Sequence, residues 1–181
     1  MKFLTSFQNL QKICEVKSLS NYKKESNYLK KIKKYLIDLE IQFEEIDMNY
    51  ADGLHPAIYL VYPHEKRDFD VIIRAEITDD LGDYFQLYCP LYNTDPLDIK
   101  IANKLFRKCL ELNFFLPETK IVLDSRNYLY IKAEMPVSLS LDEFNFELDG
   151  IDLGIENFVP KLESLGLRLP TSGSLKDYFS K

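Results

Sequence analysis

Phe69-Asp70-Val71-Ile72-Ile73-Arg74-Ala75-Glu76-Ile77-Thr78 alternates, with Val71, Ile73, Ala75 and Ile77 on one side and Asp70, Ile72, Arg74 and Glu76 on the other. A period of two marks a half-buried β-strand. Asp79-Asp80-Leu81-Gly82-Asp83 follows as a turn, with Gly82 where a positive φ costs least, and Tyr84 to Leu91 forms the next strand. Strands joined this tightly make an antiparallel meander. Upstream, Ile41 to Met48 reads as one strand and Ala57 to Tyr62, bounded by Pro56 and Pro63, as another. Three or four strands therefore occupy the first half of the chain.

Helical spacing flanks this meander. Tyr22, Leu29, Ile32, Tyr35, Leu36 and Leu39 form one stripe from Asn21 to Leu39, with Ser20 as its N-cap. Phe3, Phe7, Leu10 and Cys14 give residues 1–19 the same spacing, as a separate leading helix. Pro96 opens a second helix to about Phe114, striped by Leu97, Ile101, Leu105, Cys109 and Leu112, with Lys100, Lys104, Arg107, Lys108 and Glu111 opposite. Lys120–Asp124 and Tyr128–Glu134 flank the turn Ser125-Arg126-Asn127 as a hairpin. Ser140 stands three residues before Glu143, the capping-box spacing, and Phe144, Leu148, Ile151, Ile155, Phe158 and Leu162 continue the buried stripe of a third helix. Gly150, Gly154 and Pro160 should weaken or kink it. The expected fold is α+β, an antiparallel sheet of about five strands with helices packed on it, in the order α-βββ-α-ββ-α. Residues 1–19 form an extension, 20–166 one domain, and 167–181 a flexible tail ending in a short docking element, Leu175-Lys176-Asp177-Tyr178-Phe179.

The chain has 181 residues, 46% of them hydrophobic, enough for one domain with its own core. Its net charge of −6 is unevenly spread: residues 1–40 carry nine Lys against four acids, the remainder fourteen bases against twenty-five acids. An acidic body repels phosphate backbones, which makes nucleic acid an unfavourable partner outside the lysine-rich helix 23–34. No apolar run reaches the ~18 residues of a membrane span, and the first residues turn polar before any stretch of signal-peptide length. Cys14, Cys89 and Cys109 are odd in number and widely spaced, a pattern of reduced, buried thiols in a cytoplasmic protein.

Catalytic signatures are missing. His55 and His64 are the only histidines, and neither stands in metal-binding spacing. There is no nucleophile elbow, no Walker loop and no dinucleotide-binding glycine pattern. Asp79, Asp80 and Asp83 lack the spacing and the terminal Glu of a calcium loop. The expectation is a chain without enzymatic activity, cofactor or metal. Against this blank stands a set of strand tyrosines: Tyr59, Tyr62, Tyr84, Tyr88, Tyr92, Tyr128 and Tyr130. Tyr gives contact area at low entropic cost, so Tyr59, Tyr62, Tyr84, Tyr88, Tyr128 and Tyr130 are the candidate partner-binding residues. The same rings also suit packing under the helices.

The order of elements resembles class I type III secretion chaperones and bacterial YbjN-like proteins, over residues 20 to about 165. Leu110-Glu111-Leu112-Asn113 is similar to that family's helix ending in Leu-Asn, and Pro136, Leu139 and Leu141 to its approach to the last helix. The resemblance implies a small acidic protein, often dimeric, that presents its sheet and helices to a polypeptide partner. Family dimers often use the second helix, whose outer face is basic here, so self-packing would oppose like charges. The functional expectation is a non-catalytic protein-binding module, chaperone-like or regulatory. The alternative is a nucleic-acid accessory protein acting through the lysines of helix 23–34.

Overall fold

The computed structural model describes residues 2–50, 53–63, 68–78, 82–117 and 119–168, with side chains described from residue 19. His64, Asp79, Asp80, the Cys14 side chain and the Leu175–Phe179 element lie outside what is described. The elements run α1 (Lys2–Asp38), β1 (Phe43–Tyr50), β2 (Gly53–Tyr62), β3 (Phe69–Glu76), β4 (Tyr84–Asn93), α2 (Ile99–Asn113), β5 (Thr119–Leu123), β6 (Tyr128–Pro136) and α3 (Leu141–Glu163). Six strands form one wholly antiparallel sheet in the order β1-β2-β3-β4-β6-β5. The α+β class and the order of elements are those expected, with four strands rather than three before α2 and six in all.

Alternation decides which face the helices cover. Ile58 and Leu60 of β2, Val71, Ile73 and Ala75 of β3, Phe85, Leu87 and Cys89 of β4, and Leu129, Ile131, Ala133 and Met135 of β6 belong to one core. Leu29, Ile32 and Leu36 of α1 and Phe144, Leu148, Ile151, Ile155 and Phe158 of α3 close over them. The register stacks Ile58, Ile73, Leu87 and Ala133 across four strands. At roughly 1.5–3 kcal/mol for each large buried side chain, this layer is the main source of stability.

Several boundaries differ from the sequence expectation. Helix α1 runs unbroken from Lys2, with no cap at Ser20. It stops where Glu40 takes a positive φ of 58° and the Ile41 N–H reaches back to the Leu36 carbonyl at 2.8 Å, a helix-ending geometry usually given to Gly. Strand β2 passes through Pro56. The β2–β3 ladder starts only at Ala57, so the missing N–H forfeits no bond to β3. Pro90 sits at the bulge between β4 and β6, another place where a strand accepts proline. Helix α2 begins at Ile99 rather than Pro96, because Asp98 caps it by accepting from the Lys100 N–H at 2.8 Å.

The capping box of Ser140 and Glu143 is present, and α3 then runs unbroken through Gly150, Gly154 and Pro160. The glycines permit close approach: a Cβ on Gly154 would stand 2.9 Å from Ile131 Cδ1, and one on Gly150 2.9 Å from Thr119 Cγ2. Pro160 leaves the Glu156 carbonyl without its helix partner, but it lies in the last turn of α3, so little helix remains beyond it to be redirected.

Candidate functional site

The six candidate tyrosines do not form one surface. Tyr59 and Tyr62 stand three residues apart in β2, which places them on opposite faces. Tyr62 packs against the helix-side core, and burial, with Asp152 and Asp149 of α3 nearby, raises its hydroxyl above the ordinary value. Tyr59 lies on the other face, 7% exposed, and donates to Asp70 Oδ1 at 2.7 Å. Burial first, and then the Asp70 carboxylate, hold its proton far above the usual tyrosine range.

The remaining tyrosines share that face with charged groups. The Tyr130 hydroxyl, on a residue 4% exposed, donates to Asp124 Oδ2 at 2.9 Å. Asp124 also accepts the Arg126 and Tyr128 backbone N–H groups. Burial alone would raise the Asp124 carboxyl, but these hydrogen bonds outweigh it and hold it below the usual carboxylate range. Tyr88 packs edge-on to Tyr130 at 6.2 Å and tilted Tyr128 at 6.3 Å from the same ring. Burial pushes the Tyr88 hydroxyl up to about 12, with the Arg74 cation opposing. Tyr84 accepts from Gln86 Nε2 at 3.3 Å. Lys132 lies over the Tyr88 ring and Arg74 over the Tyr50 ring, at 5.8 and 4.7 Å. These rings and charges satisfy one another within the chain.

The lysine-rich helix is likewise engaged. Lys24 pairs with Asp83 at 2.7 Å and Lys33 with Glu45 at 3.0 Å, while Lys31 donates to the Val137 carbonyl at 3.0 Å. His55 Nδ1 lies 3.1 Å from the Glu25 carboxylate, and its ring meets Tyr50 edge-on at 5.5 Å. Among the described residues no group of three His, Cys, Asp or Glu side chains could hold a metal ion. Cys89 and Cys109 are buried, and burial pushes the Cys109 thiol up to about 12. A thiol with that pKa carries almost no thiolate at neutral pH. No helix among the described residues is long and apolar enough to cross a membrane.

Among the described residues, the most exposed aromatics stand elsewhere, where α2 ends. Phe114 is 85% exposed, Phe115 75% and Leu110 70%. The two rings meet edge-on at 5.3 Å. The chain makes one further turn past Asn113, with the Phe115 and Leu116 N–H groups both donating to the Leu112 carbonyl, so Leu116 turns inward and the phenylalanines stay out. Asn113 anchors this end. Its side chain donates to the Ile121 carbonyl at 2.9 Å and accepts the Ile121 N–H at 2.7 Å. It thereby pairs the outer edge of β5 as a neighbouring strand would. Beside the rings a groove of about 310 Å³ opens between the α2 end (Leu112, Phe115, Leu116) and α3 (Leu153, Asn157, Lys161), with Glu111 on its lip.

The spacing in the sequence does not mark this site: the apolar stripe of the second helix ends at Leu112, and whether Phe114 and Phe115 beyond it are covered depends on what lies over them. Only the Leu-Asn ending at Leu112-Asn113 marked the place. No protein-family model matches the chain, and no curated protein matches it.

Proposed function

We propose that this chain is a non-catalytic protein-binding module, chaperone-like or regulatory, whose binding surface is the phenylalanine-bearing end of α2 with the groove it shares with α3. One observation carries this reading: Leu110, Phe114 and Phe115 at the end of α2 are each at least 70% exposed, and Phe115 lines a groove with Leu112, Leu116 and Leu153. A large aromatic ring in water loses the transfer free energy that burial would recover, about 1.5–3 kcal/mol for each side chain. Contiguous exposed apolar groups of this kind mark contact sites. The order of elements, that of the secretion chaperones the sequence resembles, also supports it.

The tyrosines of the sheet lend less support, since the Tyr59, Tyr84 and Tyr130 hydroxyls are engaged inside the chain. The lysines of α1 lend little to nucleic-acid binding, because Lys24, Lys31 and Lys33 are held by this chain's own oxygens.

The test is capture from a native cell lysate with the tagged protein and with a Phe114→Ser/Phe115→Ser double variant. Proteins retained by the parent at high salt should be weakened at least ~30-fold by the double variant, the loss of a hot spot worth about 2 kcal/mol. Its melting temperature should stay the same. Equal retention by both proteins would sink the assignment. Retention of nucleic acid alone, vanishing at high salt, would favour the lysine helix instead.

A further inference from the structure

The sheet face away from the helices is buried, although no described element lies over it. Met48 and Asp70 are 2% exposed there, Ile72 1% and Gln86 4%. The apolar cluster on this side, Met48, Ala57, Tyr59 and Ile72, holds strand residues only, while Leu29, Leu105 and Phe144 of the three helices belong to the other cluster. A sheet face left to water would wet such side chains. Arg74 and Gln86 stand opposite each other on this face, in β3 and β4. The Nε of Arg74 and the Oε1 of Gln86 are buried without a hydrogen-bond partner among the described residues, one donor and one acceptor left over. A peptide group carries the acceptor and the donor that they lack.

Elimination narrows what can lie there. Within the chain, residues 51–52, 64–67 and 79–81 join strands that pair with each other, so they belong to the ends of the sheet. Residues 2–18 continue the helix whose Leu29, Ile32 and Leu36 pack in the opposite layer. That leaves residues 169–181, thirteen beyond the last described one. Helix α3 is closed before them: Gly166 takes a φ of 72°, and the Gly166 and Leu167 N–H groups donate to the Glu163 and Leu162 carbonyls. That geometry turns the chain off the helix axis. Thirteen extended residues reach about 45 Å, and six strands span about 24 Å from first to last. Pro170 and Gly173 disfavour a helix over the first part of the segment. Leu175, Tyr178 and Phe179 beyond them supply the apolar side chains.

We propose that the tyrosine-bearing face of the sheet is a docking surface whose occupant is this chain's own segment 169–181, held by Leu175, Tyr178 and Phe179. The segment is a ligand in cis. Its attachment to α3 keeps it at an effective concentration of about a millimolar, so a peptide from elsewhere must compete against that value to reach the tyrosines. The face is therefore a second binding surface, closed by the chain itself, and it is separate from the phenylalanine end of α2.

Hydroxyl-radical footprinting of the full chain, read by mass spectrometry, tests it against a Leu175→Ser/Tyr178→Ser/Phe179→Ser variant of the same length. In the parent, Met48, Tyr59 and Tyr130 should be protected. In the variant they should be oxidised about 10-fold faster or more, because apolar anchors of this kind carry most of a contact's binding energy. Met135, buried on the helix side at 1% exposed, should keep its parental rate and so report that the core is intact. A synthetic peptide of residues 169–181, added to the variant at about 1 mM, should restore protection at Met48, and the same peptide with the three serines should not. Equal rates in parent and variant would overturn the proposal, as would a peptide that leaves Met48 unprotected. Acceleration at Met135 equal to that at Met48 would show that the segment supports the whole core rather than this face, and would overturn it too. A change at Phe114 and Phe115 in place of Met48 would put the segment on the α2 end instead. Capture of other proteins through those phenylalanines is read separately and stands or falls on its own.

Discussion

Two aromatic regions of this molecule contrast. On the sheet face away from the helices, tyrosines are buried or half-buried, with Asp70, Asp124 and Gln86 bonded to three of their hydroxyls. At the end of α2, phenylalanines stand in solvent with a groove beside them. A tyrosine can bury its ring and still satisfy its hydroxyl inside the chain, so it can be consumed by its own fold. A phenylalanine has no polar tip to satisfy, and only burial against another surface relieves its exposure. Richness in aromatics therefore did not locate the candidate surface; the presence or absence of a hydroxyl partner did.

The largest expected effect lies in the first region. Tyr130→Ala removes a ring packed against Tyr88 and Tyr128 together with the donor to Asp124, and should cost about 3 kcal/mol or more. Phe114→Ala should leave stability within about 0.5 kcal/mol. Urea unfolding of both variants measures the difference directly. Similar costs at the two positions would break the contrast.

Asn113→Ala should have an intermediate effect, about 2 kcal/mol, by leaving the Ile121 N–H and carbonyl without their partner on α2. It should also speed hydrogen exchange at the Ile121 amide and along the end of α2. Unchanged exchange there would mean that another contact holds the phenylalanine end in place.

The smallest effect sharpens the tyrosine side. Tyr59→Phe should cost about 1 kcal/mol at neutral pH through the hydrogen bond to Asp70. It should also flatten the loss of stability in alkali. Tyr59 and Tyr88 hold their protons more tightly folded than unfolded. Their contribution is therefore complete below about pH 10, the unfolded value. It is lost as pH rises, up to about 12 for Tyr88. Melting temperatures measured between pH 8 and the alkaline limit for parent and variant check this, and parallel curves would show that Tyr59 ionises as freely folded as unfolded.

Much of this was readable in the residues. The alternation of Phe69 to Glu76 gave β3 its buried face, Ser140 and Glu143 marked the start of α3, and the 3.6-residue stripes of α2 and α3 placed their cores. Tyr59 and Tyr62, three apart in a strand, already had to lie on opposite faces, a consequence of the pleat that makes a single tyrosine surface impossible for that pair. Other features depended on neighbours distant in sequence. Gly150 and Gly154 look like breaks until Thr119 and Ile131 are seen to fill the space a Cβ would need. Asn113 looks like an ordinary helix end until β5 is beside it.

The sequence by itself determined the class, the order of elements and the side of the central strands that the helices cover, because period is a local property of a chain. Tertiary structure alone decided which aromatics are spent inside and which face water. Burial depends on what comes to lie over a side chain, and the pieces that cover the tyrosines and leave Phe114 and Phe115 bare meet only when the sheet and its helices close.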